Sequence, residues 1–304
     1  VNRQWQMFFG TGLVKTAEDF GVQSERPSHP DLLDWLACEF REPTVAQPTV
    51  AHAGESNRWN VKHLQRLIVT SAAYRQSSRV TPTLLERDPD NRLLARGPRY
   101  RLPSWMIRDQ ALAVGGLLVE KSGGPPVKGY QPPGVWEEAT FGFIRYAQDH
   151  GESLYRRSVY QFWRRIVGPT VFFDVANRQT CTVKLSRTNT PLHALVTLND
   201  VTFVEAARAL GQRVLLGNAT DDAGRIREAF LRCTSREPNA AERDVLLQRL
   251  TRLREAYGKD RAAAEKLIAT GESKADSRLD PVDLAAYTGV SLVLLNLDET
   301  LSKE

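Results

Sequence analysis

Apolar residues recur at helical spacing along most of the chain, so the pattern predicts a mainly α protein. The opening run NRQWQMFF is short and amphipathic, and the glycine-punctuated GTGLVKTAEDFG after it reads as a loop. SHPDLLDWLACEF predicts a helix capped by Ser28, with Leu32, Leu33, Leu36 and Phe40 on one face and Cys38 off it. REPTVAQPTVAHAGES has no periodicity and reads as a loop. NVKHLQRLIVTSAAY then predicts a helix capped by Asn60, with Val61, Leu64, Ile68 and Ala72 on its apolar face and His63 opposite.

A third helix is predicted over SWMIRDQALAVGGLLVEK, after an approach that holds Arg92, Arg96, Arg99, Arg101 and Arg108. The proline- and glycine-rich SGGPPVKGYQPPGVWEE cannot be regular, and such a loop carrying Tyr130 and Trp136 is a candidate for function or an interface. Residues 154–185 are rich in β-branched and aromatic side chains and predict one or two short strands. SRTNTPLHALVTLND follows, with Thr190 suited to cap a helix and Pro191 to its first position. In TFVEAARALGQRVLLG, Thr202 and Glu205 have capping-box spacing, which would leave Asp200 free for other work. The tail is helical, with Ile226 and Phe230 at i and i+4 and with Asp280 and Pro281 opening the last helix. The expected architecture is thus a main domain over residues 1–216, helical with a small β element near 154–185, and a helical C-terminal bundle over 217–304 packed on it.

Composition narrows the function classes. A chain of 304 residues with 41% hydrophobic content can bury a real core, and no apolar stretch approaches the roughly 20 residues of a membrane span. The N-terminus is neither a signal peptide nor an initiator start, so the chain reads as a piece of something longer. Of 41 basic residues 32 are Arg, and residues 1–216 carry the whole positive excess, 27 basic against 20 acidic. That spread suits an anion-binding surface and falls short of the dense stripe of a nucleic-acid binder. Cys38, Cys181 and Cys233 form no CxxC or CxxCH, and Cys181 reads as a buried strand residue. The five histidines show no HxH or HExxH spacing, so nothing predicts a catalytic metal or a cofactor in this chain.

No nucleophile elbow or other recognisable catalytic motif is present, and the candidate chemistry is a set of polar side chains around residues 156–200. Arg156, Trp163, Arg164 and Asp174 belong to the predicted strand region; Arg187 and Asn189 precede one helix, and Asn199 and Asp200 precede the next. Strand alternation would put Arg156, Ser158, Tyr160 and Arg164 on one face, paired with Asp174, Asp200 or Glu205 or lining an anionic site. A glycosidase-type carboxylate pair needs only spatial proximity, which makes Asp19, Asp109, Asp174 and Asp200 candidates. Trp105, Tyr130, Trp136, Tyr160 and Trp163 could supply stacking faces for sugars.

Six strings in this order, NRQWQMFFGTGLVKTAEDFG, SHPDLLDWLACEF, LIVTSAAYRQSS, GGPPVKGYQPPGVWEEA, YRRSVYQFWRR and RTNTPLHALVTLNDVTFVEAARAL, resemble the planctomycete-specific C-terminal domain of unknown function. The resemblance spans nearly the whole chain and implies context rather than chemistry. It implies an exported protein of the periplasm or cell envelope, with this domain downstream of cytochrome-c-like modules and any haem on that upstream part. The upstream domains and redox partners are the implied partners, and the basic excess adds anionic polysaccharide as an expected one. His193 stands where the family usually has Gln, and Val201 where it has Pro, which weighs against His193 as an essential base. The resulting expectation is an interaction or substrate-binding scaffold. The rival is a hydrolase or lyase acting on extracellular polysaccharide, with Arg187, Asn189, Asp200 and Asp174 in its site.

Overall fold

The computed structural model describes residues 1–45, 58–176, 180–185 and 187–303; most of the 41–56 loop, with His52, lies outside them, as does Arg178. Among the described residues the chain is mainly α, with thirteen helices and one two-stranded sheet formed by β1 (Tyr100–Arg101) and β2 (Ser302–Lys303). It divides into two compact units. The first is 1–100 with 182–184 and 302–304, and the second is 101–181 with 185–301. Residue 216 falls inside the second unit.

The first unit is built from α1 (Asn2–Phe9), α2 (Pro30–Arg41), α3 (Val61–Thr70) and the short α4 (Pro82–Arg87). Trp5, Leu13, Leu36, Leu64 and Ile68 form its buried core, with Phe8, Phe9, Leu33 and Phe40 packed around them. Asn60 caps α3 by accepting the His63 N–H, as the sequence predicts, whereas α2 starts after His29 with no side-chain cap and Ser28 one residue further out. His63 is not on a solvent face. It is 2% exposed, and its Nε2 lies 3.2 Å from the equally buried Glu39 of α2.

The second unit is organised around α8 (Val201–Leu215). Every residue from Thr202 to Gly211 is buried, together with Val214, because α12 (Pro281–Leu295), α5 (Ser104–Gly115), α9 (Asp222–Thr234) and α7 (Pro191–Asn199) all pack on it. Small residues permit this crowding: a Cβ on Gly115 would lie 2.8 Å from the Ala206 carbonyl oxygen. Side-chain caps start the later helices, with Asp221 on α9, Asn239 and Glu242 as a capping box on α10 (Ala240–Lys259), and Asp280 on α12. Asp260 caps α11 (Arg261–Ile268), and α13 (Asp298–Leu301) closes the unit. Ile226 and Phe230 share one core with Leu210, Val214, Leu250 and Leu294.

The middle of the chain departs from the predicted strands. Residues Gly151–Tyr155 and Ser158–Tyr160 are 3-10 turns, linked to the preceding loop by single bridges between Val119 and Arg156 and between Val127 and Gln161. The reason is tertiary: the buried Arg108 guanidinium takes the carbonyls of Leu154 (2.7 Å) and Arg156 (2.9 Å), acceptors that a ladder would need. Inward and outward positions still alternate, since Leu154, Arg156 and Ser158 are buried while Arg157 and Val159 are exposed. Cys181 is exposed, not a buried strand residue, and Cys233 is the buried thiol.

Candidate functional site

The sequence candidates resolve into two groups with different duties. At the entrance of α8, Asp200 is itself the cap: one carboxylate oxygen accepts the Thr202 N–H at 2.9 Å and the other accepts the Thr170 hydroxyl at 2.8 Å. This corrects the capping-box reading of Thr202 and Glu205, since the cap stands two residues earlier and Glu205 points elsewhere. At the entrance of α7, Thr190 holds the cap position without a side-chain bond and Pro191 fills the first turn.

The carboxylate that secures this entrance is Asp174, which adopts φ 57° and accepts both the Thr188 hydroxyl (2.6 Å) and the Thr188 N–H (2.9 Å). A left-handed backbone is tolerated by Asp, whose short polar chain finds a nearby partner. His193 Nε2 is 3.8 Å from Asp174, too long for a hydrogen bond, and the imidazole stacks on Phe173 at 4.2 Å. Asn199 donates to the Leu195 carbonyl in its own helix, and Arg187 and Asn189 are exposed. Asp174 and Asp200 are therefore spent on holding helix ends in place.

The second group is a truss of arginines. Arg108, 2% exposed, donates to the Leu154 and Arg156 carbonyls and to the Ser158 hydroxyl (3.2 Å); burial pushes its guanidinium down to about 10, against the pull of Asp109 and Asp200. Arg156, also buried, donates to the carbonyls of Lys121 (3.1 Å), Gly123 and Pro125 (3.2 Å), and stacks over Tyr160 at 3.9 Å. Its partners are carbonyls of the loop at 121–125, not the carboxylates expected from the sequence. Tyr160 completes the hold by accepting the Gly123 N–H at 2.7 Å. Arg164 is exposed, and Trp163 is half-buried against Phe172.

An open groove of about 590 Å³ runs beside α5, within the size range of small-ligand sites, and Asp109, which the truss holds through Ser158 and Arg108, lines it. Trp105, Asp109 and Gln110 of α5 line it, with Glu120, Ser122 and Arg157 opposite. Asp109 is held by one oxygen only: Oδ1 accepts the Ser158 N–H (2.8 Å), the Ser158 hydroxyl (2.7 Å) and a long contact from Arg108 (3.4 Å). Sequence reading named Trp105 and Asp109 among sugar-stacking and carboxylate candidates. It had no signal for the residues that position them, because Arg108 and Ser158 are fifty positions apart.

A buried carboxylate that the sequence assigned to a cap is the other centre of polar density. Glu205, 0% exposed, accepts the hydroxyls of Tyr130 (2.9 Å) and Tyr155 (2.8 Å) and both the N–H (2.6 Å) and hydroxyl (2.7 Å) of Ser273, with Arg208 3.9 Å away. Burial, and then the Glu205 charge, push the Tyr130 phenol up; burial and the bond to Glu205 do the same to Tyr155. Gly271, at φ 88°, lies so close that a Cβ there would come within 2.2 Å of the Glu205 carboxyl carbon. Both Glu205 oxygens are bonded, and the cluster ties the Tyr130 loop and the 271–273 turn to α8. Trp136 belongs to the short helix α6 (Val135–Ala139), a correction to the irregular stretch expected there; it is 2% exposed and stacks on both Tyr146 and Phe162, so it is a packing group.

Among the described residues no three His, Cys, Asp or Glu side chains gather as a metal-binding group, and no helix is long and apolar enough to cross a membrane. The chain belongs to the family described as protein of unknown function (DUF1553), PSD1, whose model matches residues 1–250. No curated protein and no solved structure matches the chain.

Proposed function

We propose that this DUF1553 family member is a non-catalytic, substrate-binding scaffold within a larger exported planctomycete envelope protein, working beside c-type cytochrome modules and binding through the groove along α5. The observation that carries the binding role is the state of Asp109, a lining residue of an open groove: its Oδ1 accepts from Ser158 and Arg108, while its Oδ2 has no partner among the described residues. The envelope context and the cytochrome neighbours rest on the resemblance of the RTNTPL, LND and TFVEAARAL strings. The rival hydrolase or lyase placed Asp174 and Asp200 at its centre, and both carboxylates already accept two protein donors each.

The test separates retention from turnover. The 304-residue chain is incubated with crude planctomycete envelope polysaccharide, and both co-sedimentation and the release of reducing or unsaturated sugar ends are measured. Retention that Trp105→Ala abolishes, with no new ends released, supports the scaffold. Release of ends that disappears in Asp174→Asn or Asp200→Asn overturns it in favour of the enzyme, and absence of retention overturns the binding role.

A further inference from the structure

The chemistry of the groove identifies the class of its ligand, an inference that rests on the groove being the binding surface. We propose that it takes a neutral, polyhydroxylated sugar, with a pyranose face on Trp105 and a pair of hydroxyls shared between Asp109 and its neighbours Gln110 and Arg157. Three features lead to this. The first is the state of Asp109, which lines the groove with its side chain one-fifth exposed and whose Oδ2 has no protein donor among the described residues. An ionised carboxylate is an acceptor only, so the group missing from the site is a donor, and a hydroxyl is the neutral donor of matching size.

Charge is the second feature. The lining holds two carboxylates, Asp109 and Glu120, and one guanidinium, Arg157, while Arg108 stands 3.4 Å from Asp109, so the charges nearly cancel and give a uronate, sulfate or phosphate no net cationic field to enter. The basic excess of the first two-thirds of the chain, which pointed towards anionic polysaccharide, is therefore not gathered here. Buried Arg108 and Arg156 do not line the groove: their terminal N–H groups go to backbone carbonyls and, for Arg108, also to Ser158 and Asp109. A mixed set of acceptors (Asp109, Glu120) and donors (Arg157, Gln110, Ser122) instead matches hydroxyls, which donate and accept at once.

The third feature is the apolar wall. Trp105, Met106 and Leu118 line the same groove, giving the C–H face of a sugar ring a surface to cover. The hydroxyl acceptors and this wall are both fixed before a ligand arrives. Trp105 and Asp109 share α5, while the opposite wall at Ser122 belongs to the loop clamped by Arg156 and Tyr160. Such preorganisation lowers the ordering cost that makes sugar binding weak in general.

Isothermal titration of the 304-residue chain provides the test, with cellohexaose and mannohexaose as neutral probes, hexagalacturonate and a heparin hexasaccharide as anionic ones, and a glucosamine hexamer as a cationic one. At least one neutral hexaose is expected to bind about tenfold or more tightly than any charged probe. Asp109→Asn keeps an acceptor for Ser158 and is expected to weaken that binding by about tenfold, one charge-assisted hydrogen bond. Trp105→Ala and Arg157→Gln, at groove positions outside the buried truss, should weaken it as well while leaving the thermal midpoint within about two degrees. Tightest binding of a charged probe, lost in Trp105→Ala, overturns the neutral sugar and leaves the groove as the binding surface. Binding of no probe, or binding untouched by all three substitutions, overturns both.

Discussion

At the scale of single residues, the polar groups that matter most are those whose partners lie far away in sequence. Glu39 is 2% exposed and accepts the Thr44 N–H, the Thr44 hydroxyl, the Val45 N–H and a contact from His63. Burial alone would raise its carboxyl, but the Thr44 and Val45 N–H bonds outweigh it and hold the group at about 2 instead of the ordinary 4.5. A carboxylate depressed in the folded state adds stability that is present above its unfolded value and is lost as pH falls through the folded one. Urea melts of the first unit should therefore weaken between pH 4.5 and 2. Glu39→Gln should cost about 2 kcal/mol at pH 7, the scale of charge-assisted bonds, and flatten this slope. An equally steep acid loss in the variant would refute the assignment. None of this was legible in NVKHLQRLIVT, where the apolar period marks Leu64 and Ile68 correctly and sends His63 outward. Period reports which positions are apolar and is silent about a polar residue that a partner 24 positions earlier draws inside.

Elements were legible wherever local chemistry and packing agree. Asn60, Asp280 and Pro191 start their helices as the sequence predicts, because a cap acts within three residues. Thr202 and Glu205 misled for the opposite reason. Their spacing satisfies a local motif, yet Glu205 is committed to Tyr130, Tyr155 and Ser273, and a different carboxylate, Asp200, caps α8. The 154–160 stretch misled in the same way, with strand-forming residues and no partner strand to pair them. The corrected cap has a measurable consequence, since Asp200→Ala removes both the bond to Thr202 N–H and the acceptor for Thr170. A loss of about 1–2 kcal/mol in guanidinium melts is expected, while Thr202→Val, which removes the hydroxyl and keeps Asp200 in place, should stay within about 0.5 kcal/mol. Equal losses in the two variants would return the cap to Thr202.

At the scale of the whole molecule, the change in charge near residue 216 is real in the sequence, but the core runs across it. Val214 of α8 and Ile226 and Phe230 of α9 belong to one cluster. What composition cannot reveal is the unequal size of the two cores. Among the described residues, the main core cluster of the first unit holds five buried apolar residues around Trp5 and Leu64, whereas that of the second holds twenty-one. Hydrophobic stabilisation scales with apolar area removed from water, so the two units should not share one stability. Calorimetry of the intact chain is accordingly expected to show two transitions, the lower one belonging to the first unit. Leu64→Ala, at a 0% exposed position, should lower only the first transition, and Leu210→Ala, equally buried in α8, only the second, each by about 2–5 kcal/mol. A single transition displaced by either substitution would mean that the units unfold as one cooperative body. The α5 groove adds a further constraint, because its floor and walls lie wholly within the second unit. Ligand binding there should raise the upper transition and leave the lower one where it was.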